Sequence, residues 1–211
     1  MLRRHKGPAK SSVAKAPVAK TPAVIDVIVI GAGQSGLAAG YYLQQAGLDF
    51  VILDRGRRIG EVWRQRYDSL KLFTPRAFNG LPGHPMSGDP EGMPDSQEFA
   101  DYLEAYATLF ALPVKLGLRV DKVQRGADAL FELTLSNQTT MRARAVILAY
   151  GTYPSAALPP LRKDFGPKVT QLNVMSYKTP AQVGEGPVLV VGDGASGRDI
   201  AAELAPHREV H

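Results

Sequence analysis

The chain is 211 residues long, 45% hydrophobic and 21% charged, a balance that suits a soluble globular protein with enough material for one domain or two small ones. It has no cysteine, which excludes disulfide frameworks, thiolate nucleophiles, iron–sulfur clusters, cysteine-ligated zinc and any redox-active dithiol, and its four histidines, His5, His84, His207 and His211, are too few for a buried His-rich metal site. No apolar run reaches the ~18 residues of a membrane span, so no integral membrane contact is expected.

The formal net charge of +5 belongs to the N-terminus. Residues 1–22 carry Arg3, Arg4, Lys6, Lys10, Lys15 and Lys20 and no acid, and without them 19 basic residues stand against 20 acidic ones. The body is therefore close to neutral, and no nucleic-acid partner is expected. Residues 1–23, rich in Ala, Lys and Pro and free of periodic apolar positions, read as a disordered basic tail. A solubilising leader is the plain reading; an organelle transit peptide or a loose anchor to anionic surfaces are the sharper ones. The tail has no secretory apolar region, and the expected location is cytoplasmic.

Val24–Ile30 (VIDVIVI) is a β-branched run that reads as a strand buried on both faces of a parallel sheet. It leads into GAGQSG at 31–36, a G-x-G-x-x-G turn. Residues 37–46 follow with helical periodicity, closed by Gly47 as a C-cap. A second apolar strand, DFVILD at 49–54, ends on Asp54, 18 residues beyond Gly36, close to the ~20 expected for an acid that holds a ribose. Each part has a physical task. Gly31 permits the tight turn, Gly33 lets the backbone approach a pyrophosphate, and Gly36 brings the helix close to the sheet. The helix N-terminus offers free N–H groups and partial positive charge to the phosphates. With strand, turn, helix, second strand and acid all in register, the segment reads as a dinucleotide site.

Residues 55–95 form a long stretch rich in Gly and Pro and without periodicity, of the kind that is functional or disordered. It holds the only tryptophan, Trp63, and Phe73. Their aromatic rings either anchor a surface loop or pack beside a flat cofactor. The runs GAGQSG at 31–36, IGEVWR at 59–64 and LKLFTP at 70–75 together resemble the class B flavin-dependent monooxygenases, in the branch of the plant YUCCA enzymes and the bacterial CzcO-like flavoproteins. The resemblance implies that the first dinucleotide is FAD and that Trp63 lies close to it.

Asp95 reads as a helix N-cap, with Glu98 reaching back in a capping box. Phe99, Tyr102, Leu103, Tyr106 and Leu109 then form an apolar stripe that is a core face rather than a cofactor site. Three strands follow, at 119–124, around Phe131, Leu133 and Leu135, and from Met141 through Ala143 and Ala145. Their period of two predicts an antiparallel meander covering the sheet. The continuously apolar residues 146–149 should enter the buried parallel sheet. They end at Ala149-Tyr150-Gly151-Thr152, which resembles the family's A-T-G motif with Tyr150 in place of threonine. The family's F-x-G-x-x-x-H-x-x-x-(Y/F)-K motif has a partial counterpart in Phe165, Gly166, Tyr177 and Lys178. Its spacing is irregular, and Asn173 stands where histidine is expected.

GPVLVV at 186–191 predicts another buried strand, followed by GDGASG at 192–197 and a helix over 198–204. This second G-x-G-x-x-G starts 161 residues after the first. Two such turns imply two nucleotide domains, one inserted in the sequence of the other. The expected fold class is α/β, and with the ligands the resemblance implies it is a three-layer, Rossmann-like FAD-binding domain with an antiparallel meander and the start of a second, NADPH-binding one. The expected divisions are the tail at 1–23, the FAD-binding domain at 24–154, a connecting segment at 155–185, and an incomplete strand–turn–helix at 186–211. One strand and one helix do not close a doubly wound domain, so the chain reads as C-terminally truncated.

The resemblance implies an oxidoreductase in which NADPH reduces FAD, and the flavin then activates oxygen and oxygenates a small organic substrate. Gly31, Gly33, Gln34, Ser35 and Gly36 would hold the FAD pyrophosphate and Asp54 its ribose. Val62, Trp63 and Gly151 would lie along the flavin. Gly192, Gly194, Ala195, Ser196 and Gly197 would hold the NADPH pyrophosphate. No residue stands out as catalytic. A thioredoxin-reductase-like enzyme shares both turns but needs a cysteine pair. The alternative reading is a truncated, non-catalytic nucleotide-binding remnant. A homodimer and a complementing C-terminal chain are both open as partners.

Overall fold

The structure, a computed structural model, describes residues 23–151 and 158–211. The expectations for the basic tail through residue 22 and for Thr152 lie outside the described residues. Among those described, no helix is long and apolar enough to cross a membrane.

In chain order the elements are β1 (Val24–Ile30), α1 (Gln34–Gln45), β2 (Phe50–Leu53), the one-turn α2 (Glu61–Arg64), α3 (Ser96–Leu109), β3 (Val114–Lys115), β4 (Val120–Arg125), β5 (Phe131–Leu135), β6 (Thr140–Leu148) and α4 (Ala195–Leu204). Six strands form one sheet in the order β3-β2-β1-β6-β5-β4. β3, β2, β1 and β6 run parallel, and β4, β5 and β6 antiparallel. β6 belongs to both halves. Thr140 to Ala143 pair with β5, and Arg142 to Leu148 pair with β1.

The alternation of β1 and β2 separates two cores. Val27, Val29, Phe50 and Ile52 pack with Leu37 of α1 and with Phe99, Leu103 and Tyr106 of α3. Ile28, Val51 and Leu53, on the opposite face, pack with Leu133 and Leu135 of β5 and Ala143 of β6. The meander therefore continues the hydrogen-bonded sheet through β6 and also covers its second face, giving helix, parallel sheet and meander as three layers. Leu37, fully buried one residue beyond the first glycine turn, contributes roughly 1.5–3 kcal/mol by burial. It ties that turn to the core shared by β1, β2 and α3. α1 ends as expected at Gly47, whose N–H donates to the Gln44 carbonyl while that of Leu48 donates to Leu43.

The structure departs from the sequence pattern at several places. The Asp95 carboxylate does cap α3, accepting from the Glu98 N–H at 2.8 Å. The Glu98 carboxylate does not reach back: it takes both ends of the Arg76 guanidinium at 2.6 Å, a forked charge-assisted pair that outcompetes a single backbone N–H. Leu109, in the last turn, is 57% exposed rather than part of the buried stripe. Residues 146–148 pair in parallel with β1, yet Leu148 at the strand end is 63% exposed, beyond the reach of either core. The predicted buried strand at 186–191 is not one. Val188 makes a single parallel bridge to Val210, and Leu189 and Val191 are more than half exposed. Among the described residues that segment has one neighbouring strand segment and no sheet to be buried in. The long segment at 55–95 contains α2 and a 3-10 turn at Arg76–Phe78.

Candidate functional site: two glycine turns and a basic cleft

The first turn is shaped by two close approaches. Gly31 has φ 110°, and a Cβ there would lie 2.3 Å from the Ala149 carbonyl oxygen; a Cβ on Gly36 would lie 1.8 Å from the Gly31 oxygen. No L side chain fits either place, so strand, turn and helix close only with glycine at both. The contact at Gly36 is with the turn itself, while the sheet comes second, through Val29 at 3.4 Å. Gly33 differs: a Cβ on it would meet nothing within 4 Å. Its position as N-cap of α1 is extended, and no side chain caps the helix. The first-turn N–H groups are thereby left facing open space, with the positive end of the helix dipole behind them.

That open space is a cleft of about 1150 Å³. It brings together eight of the residues expected there from sequence: Gly31, Gly33, Gln34, Ser35, Asp54, Val62, Trp63 and Gly151. Gly36 does not line it, being buried beneath the turn. Trp63 rests edge-on against Phe99, ring centroids 5.0 Å apart, so it is both a loop anchor and a cleft wall. Phe73 is 71% exposed and does neither. Tyr150, the residue in place of threonine, lines the cleft and is 61% exposed, and its Cα is one of the backbone atoms that close on Gly31.

Asp54 is already engaged. One carboxylate oxygen accepts the Ala32 N–H and the other the Gly56 N–H, each at 2.7 Å. It therefore braces the turn, and it also lines the cleft. Sequence reasoning missed the arginines. Arg55, Arg57, Arg58, Arg66 and Arg119 line the cleft against only two carboxylates, Asp54 and Glu61. Arg58 is held by Glu104, whose carboxyl stays below the usual carboxylate range because of that hydrogen bond. The run Arg55-Gly56-Arg57-Arg58 directly after Asp54 was a readable signal. Arg119 was not, because only the tertiary fold brings the start of the meander beside the turn.

The second turn repeats the first. Gly192 has φ 123°, a Cβ on Gly197 would lie 2.2 Å from the Gly192 oxygen, and a Cβ on Gly194 would meet nothing within 4 Å. Gly194 is the extended N-cap of α4, again without a side-chain cap. Gly192, Gly194, Ala195, Ser196 and Gly197 thus form a turn of their own and do not line the first cleft. Asp193 and Arg198 form a forked ion pair at 2.7 and 3.0 Å, and that bond holds the Asp193 carboxyl below its ordinary range.

In the intervening segment Asn173 does not stand as a free side chain. Its Oδ1 accepts the Met175 N–H at 2.9 Å, and its carbonyl accepts those of Ser176 and Tyr177. This tight turn delivers Tyr177 into a buried position and Lys178 onto the backbone of Gln65 and Arg66.

The family model described as pyridine nucleotide-disulphide oxidoreductase matches residues 28–210. The chain belongs to this family. A CzcO-like oxidoreductase of Geobacillus kaustophilus is 47% identical over 188 residues, covering 89% of this chain and 53% of that relative. A probable indole-3-pyruvate monooxygenase, YUCCA3 of Arabidopsis thaliana, is 32% identical, covering 85% of this chain and 44% of the relative. A flavin-containing monooxygenase structure from Stenotrophomonas maltophilia superposes with a TM-score of 0.82 at 36% identity, covering 89% of this chain and 56% of that one. The likeness to class B flavin monooxygenases read from the motifs is borne out. The chain spans about half the length of the curated relatives it matches.

Proposed function

We propose that the chain binds FAD at the first glycine turn and NADPH at the second, as part of an oxidoreductase that oxygenates a small organic substrate. The observation that carries this reading is the duplicated turn, with a positive-φ first glycine, an open middle glycine as extended N-cap, a last glycine pressed on the first one's carbonyl oxygen and an uncapped helix start at both Gly31–Gly36 and Gly192–Gly197.

The first cleft fits FAD on its chemistry. It combines room for a long ligand, an uncapped helix start and an excess of guanidinium groups over carboxylates. A diphosphate is best stabilised where N–H dipoles and cations converge. Gly33, Gln34 and Ser35 would hold the diphosphate, and Asp54 the ribose hydroxyls with its remaining lone pairs. Val62 and Trp63 would wall the ring and exclude water, and Gly151 would leave space at the end of β6. Gly194, Ala195 and Ser196 would receive the second diphosphate. When bound, FAD supplies hydride acceptance and oxygen activation. The residues described here bind and orient, and none is assigned proton transfer.

Two measurements on purified protein test the reading. The first is retention of yellow flavin through gel filtration, and the second is NADPH oxidation above a flavin-free control. Retained flavin with NADPH oxidation supports the oxidoreductase. Retained flavin without oxidation reduces the reading to a nucleotide-binding module, and no retained flavin overturns it.

A further inference from the structure

Tyr67 directly follows Gln65 and Arg66, which complete one wall of the first cleft. It is 1% exposed, and its hydroxyl donates to Asp199 Oδ2 at 2.8 Å. Tyr177, also buried, donates to Glu203 Oε2 at 2.7 Å. Asp199 and Glu203 lie four residues apart on α4, so they share one helix face. The helix they sit on begins at the second glycine turn. The two tyrosine rings lie 6.2 Å apart, and the junction is closed by Lys178 Nζ on the Gln65 and Arg66 carbonyls and by the Asp68 N–H on the Lys178 carbonyl at 2.9 Å. A continuous set of directional contacts thus runs from the wall beside Trp63 to the helix behind the second turn. Buried hydroxyl–carboxylate bonds are short and angle-dependent, so they fix the setting of α4 more sharply than apolar packing, which tolerates sliding.

We propose that Tyr67 and Tyr177 are positioning residues that couple the two nucleotide seats, their hydroxyls setting α4, and with it the second turn, against the wall of the first cleft. This rests on the reading of the two turns as FAD and NADPH seats. A ligand that fills the first cleft bears on Trp63, Gln65 and Arg66. Any adjustment there passes through Tyr67 to Asp199, and through Lys178 and Tyr177 to Glu203. Hydride transfer needs both rings held within near-contact distance, and a coupling of this kind keeps the second seat in register with the first.

The test is calorimetric titration of the purified chain with NADPH, alone and with saturating FAD. The wild type is expected to change its NADPH Kd at least ~5-fold when FAD is present, within the usual span of site–site coupling. In the Tyr67→Phe/Tyr177→Phe variant, which keeps both rings, that ratio is expected to fall to within about twofold of unity, while the Kd for FAD alone moves by less than about twofold. Asp199→Asn, which still accepts the hydroxyl, is expected to retain the coupling. A double variant with the wild-type ratio overturns the proposal, and so does a wild type that binds both nucleotides independently. A wild type that binds neither shows that the seats themselves are misassigned, and the proposal falls with them. If the double variant does not melt cooperatively, Tyr67→Phe alone is expected to show the same loss.

Discussion

Two glycines four residues or fewer apart in the same turn are constrained in opposite ways, and substitution separates them. A methyl on Gly36 would sit 1.8 Å from a backbone oxygen that is itself pinned by the β1–α1 turn. Gly36→Ala is expected to cost at least about 2 kcal/mol, read as a lower thermal midpoint whether or not FAD is present. A methyl on Gly33 meets no protein atom, so Gly33→Ala is expected to melt within a degree or two of the wild type and to lose at least ~10-fold in FAD affinity, the equivalent of ~1.4 kcal/mol. Equal effects of the two substitutions on stability would contradict this division. Asp54 was legible as an acid at the end of β2, but its bracing of the Ala32 and Gly56 N–H groups was not, because a backbone partner leaves no mark in sequence. Asp54→Ala should therefore lower stability by about 1–3 kcal/mol through two unpartnered donors, in addition to any loss of ribose contact. A purely cofactor-contacting Asp54 would leave the apo melting temperature unchanged.

Among the elements, those with strong local signals were readable: β1 and β2 from their β-branched runs, α1 from its closing Gly47, and α3 from its N-cap. Asp95→Ala is expected to cost about 1 kcal/mol, measured by denaturant titration, since its carboxylate caps the Glu98 N–H. β3 was not readable. It is two residues long and exists only because Ile52 and Leu53 offer it an edge. The failed strand at 186–191 is the converse, an apolar run with the right composition and too few neighbours to pair with.

Burial, followed by the bond to Asp199, pushes the Tyr67 phenol up to about 12. Burial among other tyrosines brings Tyr106 to about 12, and Tyr177 rises for the same reasons as Tyr67. An unfolded phenol titrates near ~10. In that interval the native state keeps protons the unfolded chain has lost, so the stabilisation is complete below pH ~10 and drains away as pH rises toward the native values. Thermal melts in an alkaline series are expected to fall beyond pH ~10 more steeply for the wild type than for Tyr67→Phe/Tyr177→Phe. Parallel curves would contradict the assignment.

For the molecule as a whole, the three-layer order and the pairing of each Gly-rich turn with a helix were legible because a strand, a turn and an acid must recur in fixed register to hold a dinucleotide. The basic character of the cleft was legible only in part, since Arg55, Arg57 and Arg58 adjoin in sequence right after Asp54 while Arg119 joins them only after folding. The connection through Tyr67 and Tyr177 was hidden for a similar reason, as it joins residues more than a hundred positions apart. We propose the cleft beside Trp63 as the flavin seat, and Trp63 is the sole tryptophan of the chain. Titration with FAD while following tryptophan emission tests it directly. Saturable quenching is expected in the wild type, weakened at least ~10-fold in Gly33→Ala. Unchanged emission across the titration, from protein that melts cooperatively, would contradict it.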